Sequence, residues 1–155
     1  MGEALKKRIL QEHFEGPAIE AMLNLLVAAD YMAQKADEVC AEFGITRGQF
    51  NVLRILKGVH PGGHPRCEIM RRMLERAPDV TRLVDRLEAL GLAVRDRSKE
   101  DRRLSITRIT PAGIALLVRM TPRMKEMGDH FAERVSRRDC RELSRICEGL
   151  YGEDS

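Results

Sequence analysis

The 155-residue chain can form one domain or one subunit of an intertwined dimer, and its 33% charged but only 4% aromatic residues, with no Trp, favour a helical body over a β-sandwich. No run approaches the roughly 18 to 20 apolar residues of a membrane span, and Lys6, Lys7, Arg8 and Gln11 break up the first apolar positions, so no secretory leader is visible and a cytoplasmic protein with reduced cysteines is expected. Net charge is only +3, but His64 to Thr110 holds twelve Lys/Arg against eight Asp/Glu, so the positive excess sits in that stretch.

In chain order, Met1 to Phe14 reads as a short amphipathic helix with Leu5 and Ile9 one turn apart, ended by Gly16 and Pro17. A long helix is predicted over 18–43. Its face of Ile19, Met22, Leu23, Leu26, Ala29, Ala33, Ala36 and Cys40 is widened by Leu25, Met32 and Val39, a stripe broader than one small domain would cover. Gly44 closes it, and Thr46 is a suitable N-cap for a helix with Phe50, Leu53, Ile55 and Leu56 on its apolar side. The loop VHPGGHP follows, dense in turn formers. A third helix over 66–74 is expected to turn Ile69, Met70, Met73 and Leu74 inward, before a turn at Glu75 to Ala77 delivers Pro78 to the first position of the next helix.

That next helix carries Val80, Leu83, Val84, Leu87 and Leu90 on one stripe, with Pro78, Arg82 and Asp85 opposite and Thr81 and Arg86 on the flanks. Gly91 stops it. Leu92 and Val94 then alternate with polar neighbours, and a second alternating segment runs from Leu104 with Ile106, so a hairpin with the charged tip RSKEDRR is predicted. Helix, turn, helix and hairpin in this order form a winged helix-turn-helix, whose helix fits a major groove and whose cationic hairpin reaches phosphates or the minor groove. Beyond it, Thr110 caps and Pro111 begins a helix toward Phe131, which Pro122 is expected to kink or break. Ser136 and Asp139 form a capping-box-like start for a last helix carrying Cys140, Leu143, Ile146, Cys147 and Leu150.

The string DVTRLVDRLEALGL, then DRR, then ITPAG, resembles the MarR (multiple-antibiotic-resistance repressor) family of transcription regulators, well over 44–113 and by pattern alone in the flanking helices. The fold class expected is mainly α. Residues 44–110 would be a winged helix-turn-helix DNA-binding domain, with dimerisation helices in 1–43 and 111–155. Thr81 and Arg82 point outward near the start of the recognition helix, where Arg can donate two bonds to guanine and Thr can touch a thymine methyl or a phosphate. Arg86, a turn further on, suits a phosphate. Asp79 could accept from cytosine N4 or complement the helix N-terminus, and the latter is favoured. Asp101 and Arg103 match the family's Asp-x-Arg, and the resemblance implies that the arginine reaches the minor groove while the aspartate orients it. Arg97, Lys99 and Arg102 are looser phosphate candidates.

Among the cysteines, the segment from Gly16 to Asp30 holds none, so the peroxide-sensing position of some family members is not matched. Cys140 and Cys147 share a helical face two turns apart and could meet a dimer partner, but structural burial is expected for each cysteine. His60, His64 and Cys67 match no strong zinc spacing, and neither a metal site nor a cofactor is expected. No nucleophile, base and orienting acid come together, so an enzyme has no support. The leading expectation is a homodimeric repressor of palindromic operators in double-stranded DNA. Its relief by a small-molecule effector is implied by the resemblance alone. A thiol- or metal-responsive switch on the same scaffold, and a winged-helix module that binds protein, are the alternatives.

Overall fold

The computed structural model describes residues 2–75, 79–97 and 105–152. The order is α1 (Glu3–Ile9), α2 (Pro17–Glu42), α3 (Arg47–Lys57), β1 (His64–Pro65), α4 (Arg66–Arg72), α5 (Val80–Ala89), β2 (Ala93–Arg97), β3 (Ser105–Ile109), α6 (Pro111–Ala132) and α7 (Arg137–Tyr151). The architecture is mainly α, with a winged helix-turn-helix built from α3 to β3.

Side-chain caps set the starts of several helices. Thr46 accepts from Gln49 N while the Gln49 side chain accepts from Thr46 N, a complete capping box. At the end of the hairpin the Thr110 hydroxyl accepts from Gly113 N and donates to the Gly91 carbonyl, so one side chain starts α6 and ties it to the end of α5. Ser136 Oγ accepts from Asp139 N and donates to the Asp139 carboxylate, so this pair closes through the hydroxyl rather than through the Ser136 backbone.

The core joins every layer of the DNA-binding unit to the long helices. Leu53 and Leu56 of α3, Ile69 of α4, Leu87 of α5 and Met120 of α6 are fully buried together, with Cys40 of α2 at one edge. Truncating one of the leucines to Ala would cost about 2–5 kcal/mol. The three strands pair antiparallel in the order β1-β3-β2. Gly113 lies so close to the Leu92 carbonyl that a β-carbon there would collide with it, which fixes glycine where α6 leaves the sheet.

Several expectations are corrected. The first helix ends at Ile9, where Leu10 turns left-handed with φ 54°. Helix α4 stops at Arg72 because Met73 is extended, so Leu74 is 82% exposed and Met70 also faces outward. The loop VHPGGHP contributes β1, paired with β3 through His64 and Thr107, and Gly63 approaches the Thr107 carbonyl too closely for any side chain. The hairpin turns Ala93, Thr107 and Ile109 inward rather than Val94 and Ile106, because Gly91 and Leu92 complete the helix end before pairing begins at Ala93. Pro122 does not break α6. It faces solvent together with Val118, whose carbonyl loses the bond, and the helix continues to Ala132. Among the described residues no helix is long and apolar enough to cross a membrane.

Among the described residues, two apolar stripes remain uncovered. On α2, Ile19, Met22 and Leu26 are exposed, and on α7 so are Leu143, Ile146 and Leu150. The stripe on α2 is the one whose breadth in the sequence exceeded the needs of one domain.

Candidate nucleic-acid interface

The candidate surface is the outer face of α5 and the root of the hairpin. Val80, Val84 and Leu87 anchor α5 in the core, and the 3.6-residue period then presents Thr81, Arg82, Asp85 and Arg86 to solvent. The helix begins at Val80, two residues later than the sequence suggested. Asp79 is its N-cap, with Oδ1 accepting from Arg82 N at 3.2 Å, and Pro78 lies outside the described residues. The sequence favours a role for Asp79 in complementing the positive end of the helix, and the structure adds that it does so from the N-cap position, where its carboxylate also accepts a backbone bond.

Charge on this face is sorted. Arg82 and Arg86 have no ion-pair partner among the described residues. The acids beside them are all engaged: Asp79 in the cap, and Asp85 and Glu88 by Arg95 of β2. Arg95 Nε donates to Glu88 at 2.6 Å, its Nη2 donates to Asp85, and its backbone N–H donates to the other Glu88 oxygen at 2.8 Å. The bond to Asp85, followed by the bonds to Glu88, outweighs partial burial and raises Arg95 above its ordinary value. The helix therefore offers unpaired cations outward while its anions are engaged in bonds within the chain, among the described residues.

Clefts flank α5 on both sides. One, of about 750 Å³, lies between the end of α2, the start of α3 and the exposed face of α5, with Asp37, Arg47, Arg82 and Arg86 in its walls. Arg47 is held there by Glu75 at 2.7 Å and Asp37 at 3.6 Å. The other, of about 420 Å³, lies between α5 and the hairpin, lined by Thr81, Cys67, Arg95 and Thr107.

The solved MarR transcription factor of Planctomyces limnophilus is 33% identical, covering 88% of this chain and 98% of that one, with a TM-score of 0.69. The chain belongs to the MarR family. The sequence profile of that family matches residues 43–104, from just after α2 to just before β3. The regulator MhqR of Bacillus subtilis is 36% identical over 58% of this chain and 57% of its own length. A transcriptional repressor, CouR, solved on a 23-mer DNA duplex, is 27% identical over 90% of this chain and 99% of its own, with a TM-score of 0.77. MarR proteins are transcription regulators rather than enzymes, and this chain is a MarR-family regulator.

Within that MarR scaffold, Thr81, Arg82 and Arg86 share one exposed face. Arg97 closes β2 opposite Ser105, and its side chain lies outside the described residues, as do Lys99, Asp101, Arg102 and Arg103 entirely. Arg95 and Arg47 were missed. An acidic pair three residues apart on a helix, followed after a glycine turn by an arginine, was the available signal for Arg95; nothing local marked Arg47. Cys40 is buried, and burial, then Asp37, pushes its thiol up to about 11. Cys67 is exposed, against the expectation of burial, because its position on α4 falls opposite Ile69. Among the described residues no cluster of His, Cys, Asp or Glu could hold a metal.

Proposed function

We propose that this MarR-family regulator is a homodimeric, sequence-specific repressor that binds palindromic operators in double-stranded DNA and is released by a small-molecule effector. The observation that carries the DNA-binding part is the charge sorting on α5, where Arg82 and Arg86 are free among the described residues while Asp79, Asp85 and Glu88 are engaged. Residues 44–110 serve as the DNA-binding unit. In it, Thr81 and Arg82 meet base edges, Arg86, Arg97 and Arg102 meet phosphates, and Arg103, oriented by Asp101, enters the minor groove. The likeness to a repressor solved on a DNA duplex supports this assignment.

Residues 1–43 and 111–155 supply the dimer, whose partner covers the exposed stripes of α2 and α7. Two recognition helices about 34 Å apart then meet successive major grooves of a palindrome. The cleft between α2 and α5 is where an effector acts, since it joins a dimerisation helix to the DNA-reading face. A ligand bound there lowers DNA affinity by covering Arg82 and Arg86 or by preferring a spacing that misses those grooves.

The test is a titration against DNA from upstream of the chain's own gene and against a scrambled duplex, at two salt concentrations. Preferential, salt-sensitive binding to the native duplex is expected. Equal weak binding to both, unchanged by reductant and chelator, would remove the repressor assignment.

A further inference from the structure

We propose that Arg95 is a positioning residue of the DNA-binding surface, locking the wing onto the recognition helix so that both meet DNA as one rigid piece. The inference rests on the DNA-binding function proposed above. The Arg95 side chain reaches Glu88 Oε2 and Asp85, while its backbone N–H reaches Glu88 Oε1. Asp85 and Glu88 are three residues apart on α5, so the guanidinium spans one helical turn. Neutralising two acids would need only a nearby cation. The backbone bond adds something else, because it fixes the strand itself, and side-chain and main-chain bonds from one residue leave β2 little freedom to swing about α5.

The lock reaches the rest of the wing. Arg95 lies opposite Thr107 in the ladder, a residue 3% exposed, and Thr107 in turn lies opposite His64 of β1. Asp96 and Arg108, paired at 3.2 Å, join β2 to β3 without touching α5, and Arg108 also donates to the Pro61 carbonyl. Among the described residues, and apart from the Thr110 hydroxyl on the Gly91 carbonyl just past α5, Arg95 makes the side-chain hydrogen bonds that connect the hairpin to the recognition helix, so the angle between the two DNA-reading parts depends on it.

The experiment uses the full chain as wild type, Arg95→Ala, Arg95→Lys and the triple variant Arg95→Ala/Asp85→Asn/Glu88→Gln. Each is titrated and footprinted with hydroxyl radicals on the native upstream duplex. In Arg95→Ala, affinity is expected to fall about tenfold or more per half-site, the loss of one well-made charge-assisted contact in each. Protection of the flanking minor grooves disappears while that of the central major grooves persists at saturating protein, a pattern that general destabilisation would not give. Arg95→Lys recovers part of the affinity, and the triple variant does not recover flanking protection. Hydrogen exchange at the amides of 93–97 in the DNA-free protein is expected to speed up in Arg95→Ala. Wild-type affinity and a complete footprint for Arg95→Ala would overturn the proposal, and so would restoration of both by the triple variant, which would make Arg95 a charge neutraliser only. If wild type shows no preference for the native duplex, the DNA-binding function fails by itself. The exchange measurement then decides the lock, and unchanged exchange at 93–97 would overturn it.

Discussion

Asp79 is an acid at the end of a helix proposed to enter a major groove, and its substitution separates two physical roles. Oδ1 accepts from Arg82 N at 3.2 Å in an exposed setting, a long bond that places its removal near the middle of the capping range. Asp79→Ala should therefore cost about 1 kcal/mol of stability, equivalent to a fall of about 2–4 °C in melting temperature for a chain of this size. Asp79→Asn keeps the accepting oxygen and loses only the interaction of charge with the helix end, about 0.3–1 kcal/mol. On DNA both variants should move the other way, because removing an acid beside phosphates relieves repulsion, and affinity should rise a few-fold for native and scrambled duplexes alike. Thermal melts followed by circular dichroism and anisotropy titrations on both duplexes make the test. A loss of affinity confined to the native duplex in both variants, with melting unchanged in Asp79→Ala, would show that Asp79 accepts from a base and would refute the capping account.

Leu143→Glu places an unpaired carboxylate in the proposed dimer face at a cost of several kcal/mol, so sedimentation should show monomer and native-duplex binding should disappear with it; a monomer that still binds tightly contradicts two-half-site recognition. Arg82→Ala should cost about 1–3 kcal/mol on the native duplex and relax preference at one base position, whereas Arg103→Ala should weaken all duplexes alike and lower the salt slope by about one; equal losses on native and random DNA for Arg82→Ala would remove it from base readout. Burial holds the Cys40 thiol up to about 11 against an ordinary 9.0, so the fold favours the neutral form. Its contribution to stability is intact below pH 9 and is lost as pH rises toward 11. Comparing the pH dependence of unfolding for Cys40→Ala and wild type checks the sign, and at pH 8 alkylation followed by mass spectrometry should find Cys67 modified well before Cys40.

The recognition helix was legible because its pattern is local. Val80, Val84 and Leu87 repeat with the helical period, so the same spacing that buries them exposes Thr81, Arg82 and Arg86 without knowledge of any other element. The caps at Thr46, Thr110 and Ser136 were legible for the same reason, since each bond spans three residues. The ends of α4 and α5 were less so, because Met73 extends and Asp79 caps where the apolar period alone would have carried the helices further.

Tertiary structure decided what depends on two segments meeting. Whether Val94 or Ala93 faces inward is set by the point where Gly91 and Leu92 stop completing the helix end and β2 starts to pair, and a shift of one residue inverts the whole face. His64 and Pro65 form a strand only because β3 offers them an edge. Arg95 and Arg47 acquire their roles from carboxylates seven to twenty-eight positions away, Glu88, Asp85, Asp37 and Glu75, a pairing that no periodicity encodes. The sequence by itself determined the helices, their caps and the family. The charge sorting that leaves Arg82 and Arg86 free on α5 among the described residues was decided by the fold, because an acid is neutralised only by the cation that folding brings within hydrogen-bond reach.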